Sequence, residues 1–161
     1  RENCDRHLIL RTAWVYGSRG HGNFVKTMLR LGAERTELKV VADQIGSPSW
    51  SYDIAIAITQ LLDKSLADEG IDGTYHFTNS GVASWYDFAL ATFDEAKQLG
   101  FPLKVEQVIP ITTEEFPTPT QRPAYSVLAK TKITETLGVH PPYWRDSLRK
   151  MLHEWKSISN Y

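Results

Sequence analysis

The residues best suited to contact an anion form a glycine-rich segment. Gly17, Gly20 and Gly22 lie between an apolar segment and an amphipathic one, where backbone N–H groups and a helix N-terminus can approach a phosphate. Asn23 and Lys26 add an amide and a cation at the start of the helix. The spacing G-x-x-G-x-G matches neither the dinucleotide fingerprint nor the P-loop. The segment therefore predicts a loop near some other ligand rather than a nucleotide-binding first loop.

Two further side chains stand out by their position, Trp14 and Arg122. Trp14 ends the first apolar segment, where α/β sheets present ligand-contacting residues, although position alone favours a half-buried core aromatic. Arg122 precedes Pro123 in a proline-rich segment and could clamp an anion with two parallel hydrogen bonds. From the sequence alone, a solvated loop charge is the simpler interpretation of Arg122.

Several common catalytic patterns are absent from the sequence. The five histidines show neither H-x-x-H nor H-E-x-x-H spacing, and Cys4 is the only cysteine, which argues against a transition-metal site. There is no G-x-S-x-G elbow and no Tyr-x-x-x-Lys pair. We therefore assign no catalytic residue and no metal ligand in this chain.

The composition is that of a folded globular protein. The chain has 161 residues, of which 42% are hydrophobic, and residues 1–161 are expected to form a single domain. A net charge of -1 provides no cationic field for nucleic acid or an anionic membrane. No apolar run approaches the ~20 residues of a membrane span, and one cysteine fits a reducing compartment, so we expect the cytoplasm. The start at Arg1, without methionine, suggests a piece of a longer protein.

Strand and helix patterns alternate along the chain, which predicts an α/β fold. One helix should begin at Ser49 or Ser51 and bury an aliphatic face, and Ser84 begins an S-x-x-D capping box. The long proline-rich loop at 110–123 is expected to be functional. The predicted strands are 7–16, 38–41, 73–78 and 105–109, and the predicted helices are 23–34, 51–66, 84–99, 131–137 and one after 142. The aliphatic face of the second helix comprises Ile54, Ile58, Leu61, Leu62 and Leu66.

Taken together, several ordered segments resemble the dTDP-4-dehydrorhamnose reductase family. The resemblance is carried by LRTAWVYG at 10–17, GNFVKTML at 22–29 and VVADQIGSP at 40–48. It continues with GTYH at 73–76, SWYDFA at 84–89, PTP at 117–119, RP at 122–123, SVL at 126–128 and WRDSL at 144–148. It covers roughly residues 7–155, nearly the whole chain.

The resemblance implies one part of an extended short-chain dehydrogenase. In that family the N-terminal Rossmann half carries the glycine-rich coenzyme loop and a Tyr-x-x-x-Lys proton-transfer pair, and neither is present here. The expected fold is the C-terminal part of the Rossmann fold plus a substrate-binding region of short strands and helices. The implied reaction reduces dTDP-4-dehydro-L-rhamnose to dTDP-L-rhamnose with NADPH or NADH, bound mainly by the other half. The resemblance leaves Mg²⁺ and a homodimer open.

The resemblance also assigns roles to individual residues. Trp14 matches the tryptophan that lines the deoxysugar pocket beside the nicotinamide, which reverses the interpretation from position alone. Tyr125, often Asn in the family, and Ala13, often Ser, depart from the pattern. The implied substrate-binding residues are Trp14, Asn23 and Lys26 near the diphosphate, Gln44, Gly46 and Pro48 at the dTDP end, and Arg122 and Ser126 in a late segment that closes over the ligand.

Three alternatives stay open at this stage. A different sugar-nucleotide reductase or epimerase would share the fold. A non-catalytic regulatory subunit, such as the methionine adenosyltransferase β-subunit, shares the ancestry and the Arg-Pro segment. A self-contained phosphate-binding α/β module is the third, and it rests on the glycine-rich loop alone.

Overall fold

The computed structural model describes residues 6–67, 70–120 and 122–159, so Cys4 and the start of the chain lie outside the described part. Helices and short strands alternate, which confirms the α/β class. The helices are α1 Phe24–Glu34, α2 Ser51–Leu66, α3 Trp85–Gln98, α4 Thr131–Leu137 and α5 Trp144–Ile158. The strands are β1 Leu8–Arg11, β2 Val15–Tyr16, β3 Glu37–Val41, β4 Ile45–Gly46, β5 Ser49–Trp50, β6 Gly73–His76, β7 Ala83–Ser84 and β8 Gln107–Ile111.

The described strands pair two by two. Strand β1 pairs with β6, β2 with β5 and β3 with β8, all in parallel, whereas β4 and β7 are antiparallel. Parallel neighbours need crossover connections, and helices α1 and α2 both lie between β1 and β6 along the chain. This parallel pairing is what a Rossmann-type arrangement requires.

The prediction of one largely buried strand over 7–16 is wrong. Trp14 has a φ of 52°, which turns the chain in the left-handed region and separates β1 from β2. Its carbonyl then accepts a hydrogen bond from the Ser49 N–H at 3.0 Å, so the second part of the segment pairs with β5. Ile9 is 37% exposed and Val15 is 50% exposed. A non-glycine residue at positive φ is not visible in an apolar pattern, which explains the error.

Helix α3 lies at the centre of the packed side of the molecule. It contacts α1, α5, β3 and β7, and Phe88, Ala89 and Ala96 on it are fully buried. The capping box at its start is confirmed, because the Ser84 Oγ accepts from the Asp87 N–H at 3.0 Å and the Asp87 Oδ2 accepts from the Ser84 N–H at 2.9 Å. Sequence-local capping therefore fixes where this central helix begins.

A buried carboxylate ties α3 to α5. Glu95 is 2% exposed, and its Oε2 accepts from the Arg149 Nε at 2.8 Å while its Oε1 accepts from the Arg145 Nε at 3.0 Å. Arg149, with help from Arg145, holds the pKa of Glu95 below its usual value against the opposing effect of burial. Glu95 is therefore a paired internal anion rather than a free acid.

The prediction for the inner face of α2 is wrong for three of its five residues. Ile58 is 42% exposed, Leu62 is 49% exposed and Leu66 is 84% exposed. The inward stripe consists instead of Ala57 and Leu61, each 2% exposed, with Ile54 partly buried beside them. This narrow stripe suffices because it packs against only one small cluster, formed by Tyr75, Phe77 and Ile133.

Nowhere in the described residues is there a helix with the length and apolar character that a membrane span needs.

Candidate functional site

A cavity of about 800 Å³ opens between α1, the start of α3, the β3–β8 pair and the loop after β8. This volume lies in the range of small-molecule sites. Aromatic rings line one part of the cavity, and polar and charged side chains line another. The aromatic members are Trp14, Tyr16, Phe24, Trp85, Phe88 and Phe116, and the polar members include Gln44, Glu115, Thr118 and Arg122.

Trp14 forms the aromatic wall together with Trp85. Their ring centroids are 3.6 Å apart and their planes differ by 5°. Phe24 extends the cluster, with its centroid 4.6 Å from that of Trp85. A Cβ atom at Gly46 would overlap the Trp14 indole at Cε2, Nε1 and Cζ2, so only glycine leaves room for this ring. The positive φ of Trp14 costs ~1–3 kcal/mol, a strain that concentrates at functional sites.

Polar side chains support the wall from behind. The Trp85 Nε1–H donates to the Gln44 Oε1 at 3.2 Å, and the Gln44 Nε2–H donates to the Thr113 Oγ1 at 3.1 Å. Thr113 in turn donates from its hydroxyl to the Asp43 carboxylate at 2.7 Å and from its N–H at 2.9 Å. The backbone N–H and then the hydroxyl of Thr113 lower the pKa of Asp43. Asp43 is therefore an anion that anchors the loop after β8.

Arg122 lies at the rim of the same cavity. It follows Phe116 and Thr118 along the loop, and all three line the opening. Within the described part of the chain its guanidinium has no hydrogen-bond or ion-pair partner, and the residue is exposed. An exposed and unengaged guanidinium is available for a bidentate contact with an anionic ligand.

The structure places Asn23 and Lys26 outside the lining of this cavity. The Asn23 Nδ2–H donates to the Gly17 carbonyl at 2.8 Å, and its Oδ1 accepts from the Lys26 N–H at 3.1 Å. The Lys26 Nζ donates to the Gly20 carbonyl at 3.0 Å and lies 5.4 Å from the Trp155 ring centroid. Both side chains therefore close the glycine-rich loop onto α1. Their contact with an anionic ligand stays a prediction.

The late segment around Ser126 joins the strand that carries Gly46. The Ser126 N–H and hydroxyl donate to the Ile45 carbonyl at 2.9 and 3.2 Å, and the Ile45 N–H donates to the Ala124 carbonyl at 2.8 Å. Tyr125, which departs from the family pattern, is 68% exposed and does not line the cavity. The loop that carries Arg122 is thus fixed to β4 at its far end.

Three of the eight predicted site residues, Trp14, Gln44 and Arg122, line one cavity. Pro48 is buried. Sequence reasoning missed Trp85 and Thr113 as members of the site. Trp85 had a local signal, because an aromatic residue at the first position after a capping serine lies at a helix entrance. Thr113 had none, since only the β3–β8 pairing brings it beside Asp43.

Metal-binding chemistry gains no support from the described residues. They contain no group of three or more histidine, cysteine, aspartate or glutamate side chains placed to hold an ion. The expectation of Mg²⁺ therefore rests on the resemblance alone.

The fold is shared with NAD-dependent enzymes that act on sugar nucleotides. The solved structure of Thermus thermophilus UDP-glucose 4-epimerase in complex with NAD aligns over 95% of this chain and 47% of its own, with a TM-score of 0.67. At 19% identity this likeness shows the fold alone. It confirms the expected Rossmann-type α/β architecture.

Residues 1–157 match the family model of the RmlD substrate binding domain, and the chain belongs to that family. It is 46% identical over 147 residues to dTDP-4-dehydrorhamnose reductase of Aggregatibacter actinomycetemcomitans, a match covering 91% of this chain and 50% of the relative. The crystal structure of the Bacillus anthracis enzyme in complex with NADP is 40% identical, with a TM-score of 0.83, over 95% of this chain and 50% of that one. The chain thus spans about half the length of the relatives it matches, and the resemblance in the sequence is confirmed.

Proposed function

We propose that this chain forms the sugar-nucleotide-binding half of a dTDP-4-dehydrorhamnose reductase, which reduces dTDP-4-dehydro-L-rhamnose to dTDP-L-rhamnose for cell-surface polysaccharide synthesis. One observation carries the proposal: a single cavity of about 800 Å³ joins an aromatic wall at Trp14 to an unengaged cation at Arg122. A dTDP-sugar has matching parts, an apolar-faced deoxysugar and a diphosphate. Membership of the RmlD substrate binding domain family supports this match.

The aromatic wall is suited to orient a deoxysugar. The stacked Trp14 and Trp85 rings present a flat surface that resists rotation, because Trp14 is confined by Trp85 and by the close approach of Gly46. A sugar carbonyl held against such a surface approaches a hydride donor in one orientation, which converts binding into a near-attack geometry. The rings also exclude water from the reacting carbon.

The rim of the cavity is suited to hold the diphosphate. The Arg122 guanidinium presents a planar fork of N–H donors that matches phosphate oxygens. Its loop is anchored near both ends, by Thr113 on Asp43 and by Ser126 on Ile45. Anchoring lowers the ordering cost that a free loop would pay on binding. Of the remaining predicted contacts, we assign Gly46, Pro48 and Ser126 to shaping the cavity around the ligand, whereas a contact of Asn23 and Lys26 with the diphosphate stays a prediction.

The described residues do not by themselves fit a dinucleotide coenzyme. The glycine-rich loop has the spacing G-x-x-G-x-G, which is not the dinucleotide fingerprint G-x-G-x-x-G. The sequence has no Tyr-x-x-x-Lys pair. We therefore assign no hydride or proton transfer to a residue of this chain. We propose that the rest of the protein supplies the coenzyme site, with NADPH as the coenzyme because the Bacillus anthracis relative was solved with NADP.

The open side of the fold is where we place that other half. Strand β1 pairs only with β6 among the described residues, although parallel sheets are normally covered on both faces and extended at their edges. Ile9 on β1, and Ile58 and Leu62 on α2, are exposed. These apolar groups suit a surface that becomes buried. A cytoplasmic location and a homodimer stay our predictions for the complete protein.

The test is turnover by the complete protein that carries this chain. We expect NADPH oxidation that depends on dTDP-4-dehydrorhamnose and is inhibited by dTDP. Turnover only with a different nucleotide sugar would instead favour another reductase of this fold. Binding of dTDP without any turnover, in a protein whose coenzyme site is intact, would favour a regulatory subunit.

A further inference from the structure

One ring of the aromatic wall, that of Trp85, is held by a directional hydrogen bond as well as by ring contacts. Trp85 is the first residue of α3, and the ring that stacks on Trp14 has one polar atom, Nε1. This N–H donates to the Gln44 Oε1 at 3.2 Å. Stacking alone allows two indoles to slide over one another, whereas a directional hydrogen bond fixes one ring in its plane. Gln44 therefore determines where the Trp85 ring lies.

The amide of Gln44 is itself oriented by further partners. Gln44 is only 7% exposed, and its Nε2–H donates to the Thr113 Oγ1 at 3.1 Å. The Thr113 hydroxyl has one proton, which it gives to the Asp43 Oδ1 at 2.7 Å. Each side chain in this series donates a hydrogen bond to the next one. We call these bonds, from Trp85 through Gln44 and Thr113 to Asp43, the Gln44 chain.

We propose that Gln44 is a positioning residue, which sets the Trp14–Trp85 stack through the Gln44 chain instead of contacting the nucleotide directly. The amide oxygen and one amide N–H of Gln44 already have protein partners, and the residue is only 7% exposed, so both bonds that orient the amide are made within the protein. The consequence for catalysis rests on the proposed function, but the consequence for the two rings does not.

The Gln44 chain also connects the wall to the loop that carries the cation. Thr113 lies at the start of that loop, which continues through Phe116 and Thr118 to Arg122 along the cavity. Because Thr113 binds both the Gln44 amide and the Asp43 carboxylate, the ring pair and the loop share one anchor. The parts of the cavity proposed to face the sugar and the phosphates therefore share one attachment point, Thr113.

Matched substitutions distinguish the effect of the Gln44 hydrogen bonds from the effect of the size of its side chain. Gln44→Glu keeps the size but places a carboxylate oxygen against the Thr113 Oγ1, whose proton is already given to Asp43. Gln44→Met keeps the length and removes both polar ends. Thr113→Val removes the hydroxyl, whereas Thr113→Ser retains it. Gln98→Glu, at the exposed last position of α3, is the control for the change of charge.

The first readout is the circular dichroism of the indole pair in the complete protein without substrate. Two rings 3.6 Å apart and nearly parallel couple excitonically, and subtracting the spectrum of Trp14→Phe isolates their signal. We expect both Gln44 variants and Thr113→Val to lose most of it, and Thr113→Ser and Gln98→Glu to keep it. Loss of the signal in a variant with an unchanged melting transition supports positioning. A retained signal in Gln44→Met or in Thr113→Val overturns the proposal.

The second readout divides the kinetic effect. We expect kcat for the sugar nucleotide to fall about tenfold in Gln44→Met, as the loss of one buried hydrogen bond implies, with the Kd for dTDP within about twofold of wild type. A selective loss of dTDP affinity with unchanged kcat would make Gln44 a ligand and overturn the proposal. The circular dichroism measurement needs no substrate. It therefore tests the positioning role of Gln44 even if the protein proves to have another activity.

Discussion

The two sides of this molecule differ in how completely they are packed. On the cavity side, α1, α3 and α5 enclose a continuous core in which Phe88, Leu148 and Leu152 have no exposed surface. On the opposite side, α2 covers the β1–β6 pair with only two fully buried residues, Ala57 and Leu61. Apolar side chains on the outer surface of α2 are left exposed there.

This difference indicates which part of the function each side serves. On the cavity side the Gln44 chain and the Glu95 ion pairs join polar groups of this chain to one another, although the buried Trp144 Nε1–H has no hydrogen-bond partner among the described residues. The geometry of the cavity is therefore set largely within this chain. The α2 side leaves a parallel strand edge and apolar surface that a stable protein normally covers. We infer that the sugar-nucleotide site lies on the cavity side of this chain and that the coenzyme site forms where the rest of the protein packs against the α2 side.

The largest expected effect comes from removing the wall on the cavity side. In the complete protein, Trp14→Ala should lower kcat/KM for the sugar nucleotide about 100-fold, because the sugar is no longer held in a near-attack geometry. The KM for NADPH should stay within about twofold. Steady-state kinetics with each substrate varied in turn measures both values. Ile158→Ala, which truncates an exposed apolar residue at the end of α5, is the control, and a strong rise in the KM for NADPH would place Trp14 on the coenzyme side.

A smaller effect is expected at the rim of the cavity. Arg122→Ala should weaken dTDP binding by roughly tenfold to a hundredfold, since a charge-assisted hydrogen bond is worth ~1.5–3 kcal/mol. Arg122→Lys should also lose affinity because lysine cannot make the bidentate contact. Thymidine, which lacks phosphates, should bind all three proteins equally. Calorimetric titration distinguishes these cases, and equal losses for dTDP and thymidine would mean that Arg122 shapes the loop.

The α2 side can be tested by placing a charge on its outer surface. Leu62→Asp should lower the free energy of unfolding of the complete protein by about 2 kcal/mol, because the carboxylate would be buried against the other half. Val82→Asp changes a similarly exposed apolar residue away from α2 and should have an effect within about 0.5 kcal/mol. Urea unfolding of both variants gives the comparison. Equal small effects would show that the surface of α2 stays in water.

The smallest expected effect is the contribution of the Glu95 ion pairs to stability at low pH. Because Arg149 and Arg145 lower the pKa of Glu95 in the folded state, the ion pairs contribute stability that is complete above the unfolded pKa of glutamate. That contribution is lost as the pH falls through the lowered folded value. Thermal melts should therefore show a steeper loss of stability below about pH 4.3 in wild type than in Glu95→Gln. Parallel curves for the two proteins would mean that the pairs do not affect stability.

Sequence patterns that depend on near neighbours correctly predicted the helix starts on the cavity side. The S-x-x-D pattern at Ser84 and the Asn23 start of α1 both proved to be helix caps, because capping depends on neighbours three residues apart. The break at Trp14 was not predicted, since a positive φ leaves the hydrophobic pattern unchanged. The outer surface of α2 was misassigned because an aliphatic helix face looks the same whether its partner lies within the chain or beyond it.

The site was predictable where a residue type is rare and missed where it depends on pairing. Trp14 and Arg122 combine unusual chemistry with a distinctive position, and both line the cavity. Gln44 was assigned to the ligand, yet its amide binds Trp85 and Thr113. Those partners lie 41 and 69 residues away, so only the folded topology brings them together.

We infer that this chain carries the sugar-nucleotide site and that the coenzyme site lies in another part of the protein. Calorimetric titration of the purified chain, shown by circular dichroism to be folded, with dTDP and then with NADPH tests it most directly. We expect saturable heat with dTDP, weakened in Arg122→Ala, and no binding of NADPH. Saturable binding of NADPH by this chain, or no binding of dTDP, would contradict the account.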